Sequence, residues 1–287
     1  MTIKMENKHR GWQRVLLIIL PYIFIVGIFQ YVGTIVAGAD IMDPNFQKSS
    51  EQHVIMSLFS LIGTLLVIWI FIKYLDKEKF VNLGFQTKNR LTDFIFGIVL
   101  GAVIMILGYF ILLYLNEIIY VKTVFNFKEI ILSVILFTIV AFMEEILLRG
   151  YILRNLMLSF NKYIALVTSS VIFALMHGFN PNIDLFSMTN IFLAGILLGM
   201  SYIHTKNLWF PIALHLSWNL FQTILGFNVS GQDSYSLIEF SISENTLLNG
   251  GAFGFEGSIL SVIAMVISIG GIWLYYERKK TNKRVEY

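Results

Sequence analysis

Residues 130–153 read IILSVILFTIVAFMEEILLRGYIL, an apolar run with three charged side chains in its second half. A bilayer core about 30 Å thick needs roughly 20 apolar residues in a helix, so this run predicts a membrane-spanning helix. The whole chain of 287 residues is 56% hydrophobic and 14% charged, and its mean hydropathy is +0.72. Soluble domains carry about 25% charged residues. The composition therefore excludes a soluble globule and a disordered chain, and it predicts an integral membrane protein.

Seven other apolar runs complete a predicted set of eight spans, which form an all-α, polytopic helix bundle as a single membrane domain over residues 1–287. The eight runs are Val15–Ala37, Val54–Leu75, Phe94–Leu115, Ile130–Leu153, Tyr163–Met176, Ile191–Ile203, Leu208–Phe227 and Ile259–Tyr276. The fifth and sixth are short, and we expect them to border a water-filled cavity. The residues at the end of the first run, Ala37–Ala39, are similar to a signal-peptidase site. A run of about 23 residues nevertheless favours a retained helix, because signal peptides have apolar regions of about 7–15 residues.

Lysine and arginine are distributed unevenly between the two sides of this predicted bundle. Eighteen of the 21 lie in the two tails and in the connections, with their adjoining helix ends, after the second, fourth and sixth runs. The other side holds only Lys48, Lys122 and Lys128. Cytoplasmic segments carry the positive excess in membrane proteins, so we expect both termini in the cytoplasm. The basic tails are expected to contact anionic lipid and not nucleic acid.

The charges within the fourth run need partners, because an ionisable residue near the bilayer centre costs roughly 2.5–3.5 kcal/mol on insertion scales. Glu145 and Arg149 are four residues apart, so they share a helix face and can form an ion pair. Glu144 points about 100° away from Glu145 and has no partner at this spacing. The ion pair could serve only to hold the bundle together, whereas the unpaired Glu144 favours a functional site.

Three other polar residues lie in apolar runs at a similar predicted depth. His177 ends the fifth run, and His215 and Asn219 lie four residues apart in the seventh. With a rise of about 1.5 Å per residue, all three and Glu144 lie roughly 12–22 Å from the basic ends of their helices. They are therefore expected to meet in one polar layer, and such a layer indicates a cavity that admits water or a substrate.

This set of side chains suits hydrolysis. A carboxylate in an apolar site can act as a general base on water, and histidine and asparagine can donate hydrogen bonds to an oxyanion. The chain has no cysteine, so a thiolate nucleophile is excluded. It has neither a Gly-x-Ser-x-Gly nor a His-Glu-x-x-His motif. We expect no cofactor, although zinc held by Glu144, His177 and His215 remains an alternative.

The motifs resemble those of a known family. Glu144-Glu145-Ile-Leu-Leu-Arg149, Phe173-x-x-x-His177 and His215-x-x-x-Asn219 are similar, in order and placement, to the three motifs of the CPBP (Abi) intramembrane proteases, relatives of the CAAX prenyl endopeptidase. The motif-bearing core covers residues of about 130–227. The resemblance implies a metal-independent, glutamate-dependent endopeptidase without a covalent intermediate.

The resemblance also implies a role for each residue. Glu144 would activate water with help from His177, and His215 and Asn219 would form the oxyanion hole. The supporting residues would be Glu145, Arg149 and Phe173.

Expectations for the substrate and the location rest on overall composition and on the resemblance, not on single residues. A composition rich in Lys, Asn and Ile indicates a bacterial plasma membrane, and bacterial relatives are linked to bacteriocin or pheromone maturation and to immunity. We expect a CAAX-type, bacteriocin-like or leader peptide presented at the membrane. Two other functions remain open: a non-enzymatic immunity or scaffold protein, and a transporter, since buried ionisable residues also mark ion pathways.

Overall fold

The computed structural model describes residues 10–40 and 47–285, with helix side chains up to residue 279, and it is mostly helical. The principal helices are α1 (Gly11–Val36), α2 (Ser50–Asp76), α3 (Leu91–Tyr114), α4 (Phe127–Ser159), α5 (Lys162–Met176), α6 (Leu185–Thr205), α7 (Trp209–Ile224) and α8 (Ile259–Val285). Each predicted apolar run coincides with one of them. Among the described residues, six helices are long and apolar enough to cross a membrane, while α5 and α7 have 15 and 16 residues. The protein is therefore a multi-pass membrane protein, and the count of eight spans and the side of the termini stay predictions. Lys4 and Lys8 of the basic tail lie outside the described residues.

The sixth run is longer than predicted. Helix α6 begins at Leu185, six residues before the predicted start, and the Asp184 side chain accepts a hydrogen bond from the backbone N–H of Ser187 at 2.7 Å. Polar residues in its first turns, including Asn190, hide this helix start in a search for apolar runs. The Asn190 side chain is buried and donates to the carbonyl of Glu256 at 2.8 Å. A polar helix start is therefore buried against the last connection of the chain.

Small residues allow the helices around the site to approach closely. A methyl group at Gly97 would lie 2.7 Å from the Phe210 carbonyl oxygen, and one at Gly101 would lie 2.8 Å from a backbone nitrogen of α7. On the other side of the bundle, a methyl group at Gly195 would lie 2.8 Å from Ser170 Cβ. Close packing of α3 on α7 and of α5 on α6 therefore depends on these glycines.

A small sheet forms at one end of the bundle. Strand β1 (Ile119–Thr123) pairs antiparallel with β2 (Ile238–Ser241), so the connection between α3 and α4 is tied to the one between α7 and α8. The sheet has two strands and is partly exposed, and the apolar runs alone give no signal for it. Two short 3₁₀ turns, Gly251–Phe253 and Phe255–Gly257, complete the second connection.

Candidate active site

Helix α4 points two consecutive carboxylates in different directions. Its α-helical part ends at Glu145, and residues Ile146–Leu153 form a π-helical segment. Glu144 is partly exposed, whereas Glu145 is fully buried. Because consecutive residues of a helix point about 100° apart, Glu144 faces a cavity and Glu145 faces the packed interior. Short π-helical segments within α-helices are frequent at functional sites.

Glu145 lies at the centre of a buried polar network. Its Oε1 accepts a hydrogen bond from Arg149 Nη1 at 2.8 Å and contacts His215 Nδ1 at 2.9 Å. The Arg149 guanidinium also donates to the Gly195 carbonyl at 3.1 Å. Arg149 is 1% exposed and Glu145 is 0% exposed. The predicted ion pair is present, and it has the additional effect of orienting His215, which sequence spacing does not indicate.

Glu144 lies between the two histidines. Its Oε2 is 4.0 Å from His177 Nε2 and 3.9 Å from His215 Nε2. Within the described part of the chain, this buried oxygen has no hydrogen-bond partner. The gap is too long for a direct hydrogen bond and suits a bridging water molecule. With hydrogen bonds of about 2.8 Å, a 4.0 Å separation gives an angle of about 90° at the water oxygen, near the bond angle of water.

The second nitrogen of each histidine fixes its protonation pattern. His177 Nδ1 lies 2.8 Å from the Phe173 carbonyl oxygen, and His215 Nδ1 lies 2.9 Å from the Glu145 carboxylate. Both partners are acceptors, so each Nδ1 carries a proton. In a neutral ring, Nε2 then has a free lone pair, as required to accept a hydrogen bond from water. His215 Nε2 can donate only if its ring is cationic, and the Glu145 carboxylate stabilises that charge.

The Phe173 ring contacts three of these polar side chains. Its ring centroid lies 4.6 Å from that of His177 and 6.3 Å from that of His215. The Arg149 guanidinium carbon lies 4.6 Å from the centre of the same ring, in a cation–π contact. The ring thus keeps both imidazoles in place and closes the guanidinium off from the cavity.

These side chains border a cavity of about 190 Å³. The residues predicted from the motifs that line it are Glu144, Phe173, His177, His215 and Asn219. Glu145 and Arg149 lie behind the wall. The structure thus brings all seven predicted residues together around one chamber.

Two further ionisable residues line the same cavity and were not predicted. His53 is in the first turns of α2, and Glu256 is in the connection before α8. Neither is part of a recognisable sequence motif. His53 has a weak signal, a histidine near the start of an apolar run, whereas Glu256 has none, since it lies in a connection with other acidic residues.

Zinc held by Glu144, His177 and His215 is the alternative to a bridging water molecule at this cluster. Among residues 10–40 and 47–285, no group of three or more His, Asp or Glu side chains is arranged to hold a metal ion. The expectation that the site works without a metal stays a prediction.

Part of the chain matches the model of a known protein family. Residues 126–221, a third of the chain, match a protein-family model described as Type II CAAX prenyl endopeptidase Rce1-like. The matched segment includes every motif residue from Glu144 to Asn219. No curated protein and no solved structure matched the chain.

Proposed function

We propose that the chain is an intramembrane endopeptidase whose Glu144 activates water. The match of residues 126–221 to the Rce1-like family model supports a CAAX-type peptidase. The substrate is a peptide or protein segment presented at the membrane. The observation that carries the proposal is the position of Glu144 Oε2, buried, without a hydrogen-bond partner and about 4 Å from two imidazole nitrogens.

The first step in the proposed reaction is attack by water. A water molecule donates one hydrogen bond to Glu144 Oε2 and one to His177 Nε2. Glu144 removes a proton, and the water oxygen forms a bond to the carbonyl carbon of the scissile peptide. The Glu144 carboxylate is the general base of this step.

The second step is collapse of the tetrahedral intermediate. His215 Nε2–H and the side-chain amide of Asn219 donate hydrogen bonds to the oxyanion. Glu144 then passes its proton to the departing nitrogen, the carbon–nitrogen bond breaks, and an amine and a carboxylic acid leave; the acid loses its proton to water. No covalent enzyme intermediate forms, and the reaction requires no metal.

Supporting residues set the geometry of these donors. Glu145 fixes the ring of His215 and stabilises its positive charge through the 2.9 Å contact. Arg149 neutralises Glu145 and is bonded to the Gly195 carbonyl on α6. The His215 ring is therefore held by contacts that link α4, α6 and α7 before substrate binds, which is the condition for electrostatic catalysis.

The test is hydrolysis of a random peptide library by the purified protein in detergent, with products identified by mass spectrometry. We expect cleavage that persists in a chelator and that His215→Ala reduces about 10²–10³-fold, the effect of losing one oxyanion donor. Added hydroxylamine should yield no hydroxamate, because no acyl-enzyme forms.

Three outcomes would contradict the proposal. Absence of any cleavage by the folded protein would favour a scaffold or immunity role. Loss of activity in chelator, restored by zinc, would favour a metal-dependent reaction. A hydroxamate product would indicate an acyl-enzyme.

A further inference from the structure

The cavity extends from the polar layer toward one end of the bundle. We define the loop face as residues 115–126, 177–184 and 225–258, which include the two-stranded sheet. Cavity-lining residues come from this face, as with Asn180, Gln232 and Ser234, and from helices α2, α4, α5, α6 and α7. These three side chains are partly exposed. The cavity therefore connects the catalytic layer with the surface of the loop face.

The opposite side of the catalytic layer is closed by packed side chains. All residues from Glu145 to Leu153 are buried, which includes the whole π-helical segment. Leu83 and Leu208 are both 0% exposed, and the Tyr202 hydroxyl donates to the Leu83 carbonyl at 2.8 Å. A chain cannot pass through this region without unpacking the core. Access from the connections that carry the basic residues is therefore blocked.

The mouth of the cavity is held together by hydrogen bonds and close backbone packing. Glu256 Oε2 accepts hydrogen bonds from the backbone N–H and the hydroxyl of Ser230, both at 2.7 Å. Asn180 Nδ2 donates to the Ser230 carbonyl at 3.0 Å. Gly231 has a φ of +80°, and a methyl group there would lie 1.9 Å from the Pro181 carbonyl oxygen. Segments 180–182 and 229–232 are thus fastened together beside the opening.

The loop face is acidic. Its three segments contain six acidic residues, Glu117, Asp184, Asp233, Glu239, Glu244 and Glu256, and one basic residue, Lys122. Lys122 forms an ion pair with Glu239 at 3.2 Å. A surface with this excess of negative charge attracts cationic chains and repels anionic ones.

We propose that the substrate enters through the loop face and is a cationic polypeptide segment outside the cytoplasm, not a cytosolic tail. The inference rests on the proposed function and adds the side of entry and the charge of the substrate. The side follows from the distribution of Lys and Arg, which predicts the connections opposite the loop face to be cytoplasmic. A secreted peptide or the external segment of a membrane protein fits this opening.

The side of entry can be measured without catalysis, because the chain has no cysteine. Ser234→Cys lies at the mouth of the cavity, and Lys88→Cys lies in an exposed connection on the opposite side. A membrane-impermeant maleimide should label Ser234→Cys in right-side-out vesicles and Lys88→Cys only in inverted ones. The reversed pattern would overturn the proposal, whatever the enzyme's activity.

Entry into the site is tested with one more pair of variants. Ala194→Cys lies in the cavity wall, and the buried Ser169→Cys on α5 is the control. A small impermeant thiol reagent should modify Ala194→Cys from the Ser234 side and leave Ser169→Cys unmodified. Modification of Ala194→Cys only from the Lys88 side would contradict entry through the loop face.

The charge of the substrate is tested with the peptides that the detergent-solubilised protein cleaves. Variants of one such peptide with two lysines or two glutamates near the cleaved bond should differ about tenfold or more in kcat/KM at low salt, because electrostatic steering has that magnitude. The difference should decrease with salt. An equal rate for both peptides, or a preference for glutamate, would refute the cationic substrate while leaving the peptidase function intact.

Discussion

Removal of the charge on Glu145 should lower the stability of the protein and the rate of peptide cleavage for two different reasons. In Glu145→Gln, the Arg149 guanidinium keeps its hydrogen bond to the Gly195 carbonyl and loses its only ion-pair partner among the described residues, at 2.8 Å. Both side chains are at most 1% exposed, so water cannot replace the lost partner. Breaking a buried pair from one side typically costs about 3–5 kcal/mol, and we expect a loss of stability of that size.

A second substitution should recover stability but not activity. In the double variant Glu145→Gln/Arg149→Met no uncompensated charge is buried, and replacing a whole buried pair by an apolar side chain is often close to neutral. The free energy of unfolding should therefore lie about 2 kcal/mol or more above that of the single variant. His215 still lacks the carboxylate that holds its Nδ1–H and its positive charge, so peptide cleavage should remain low.

The assay is denaturant-induced unfolding in detergent micelles, followed by tryptophan fluorescence, with peptide cleavage measured on the same samples. Arg149→Met alone completes the double-mutant cycle. If the double variant were as unstable as Glu145→Gln, the buried ion pair would not be the source of the loss. If it regained both stability and full activity, Glu145 would be a structural residue only, with no role in orienting His215.

Two further predictions concern packing and capping. Gly101→Ala should lower stability by about 1–3 kcal/mol, because its methyl group would lie 2.8 Å from the Trp218 backbone nitrogen. The control Gly270→Ala, with open space around it, should be neutral or stabilising. Equal shifts in melting temperature for the two variants would refute the close approach of α3 and α7. The hydrogen bond from the Ser187 N–H lowers the pKa of Asp184 below its usual value, so this cap stabilises the fold at neutral pH and loses strength as the pH falls through that lowered pKa. At pH 7, Asp184→Ala should therefore be less stable than the native chain by about 1 kcal/mol and should unfold at a lower temperature. The difference in unfolding temperature should shrink in acid. A difference that stays constant with pH would contradict the role of the charge.

Local spacing predicts much of the site, because the relevant partners are on the same helix. The i, i+4 spacing of Glu145 and Arg149 is enough to expect the ion pair, and the 100° rotation per residue is enough to set Glu144 apart. The depth of His177 and His215 follows from counting residues along apolar helices. The eight apolar runs all coincide with helices, since a 3.6-residue period and a long apolar run are local features.

What the sequence could not indicate depends on contacts between distant segments. The bond from His215 to Glu145 joins residues 70 positions apart, and the bonds from Ser230 to Glu256 join two parts of a long connection. The pairing of β1 with β2 is likewise non-local, and the strands are too short to give a signal of their own. Within the π-helical segment after Glu145, the Leu148 carbonyl accepts a hydrogen bond from the hydroxyl of Ser169, another contact between distant segments.

The most direct test of the account is the cleavage rate of Glu144→Gln. The substitution keeps the shape of the side chain and removes its ability to take a proton, so kcat should fall about 10²–10⁴-fold, the usual contribution of a general base, without a change in thermal stability. Glu129→Gln, on the same helix and outside the cavity, is the matched control and should cleave at the native rate. A Glu144→Gln protein that cleaves the same peptide as fast as the native chain would contradict the central claim that Glu144 activates the attacking water.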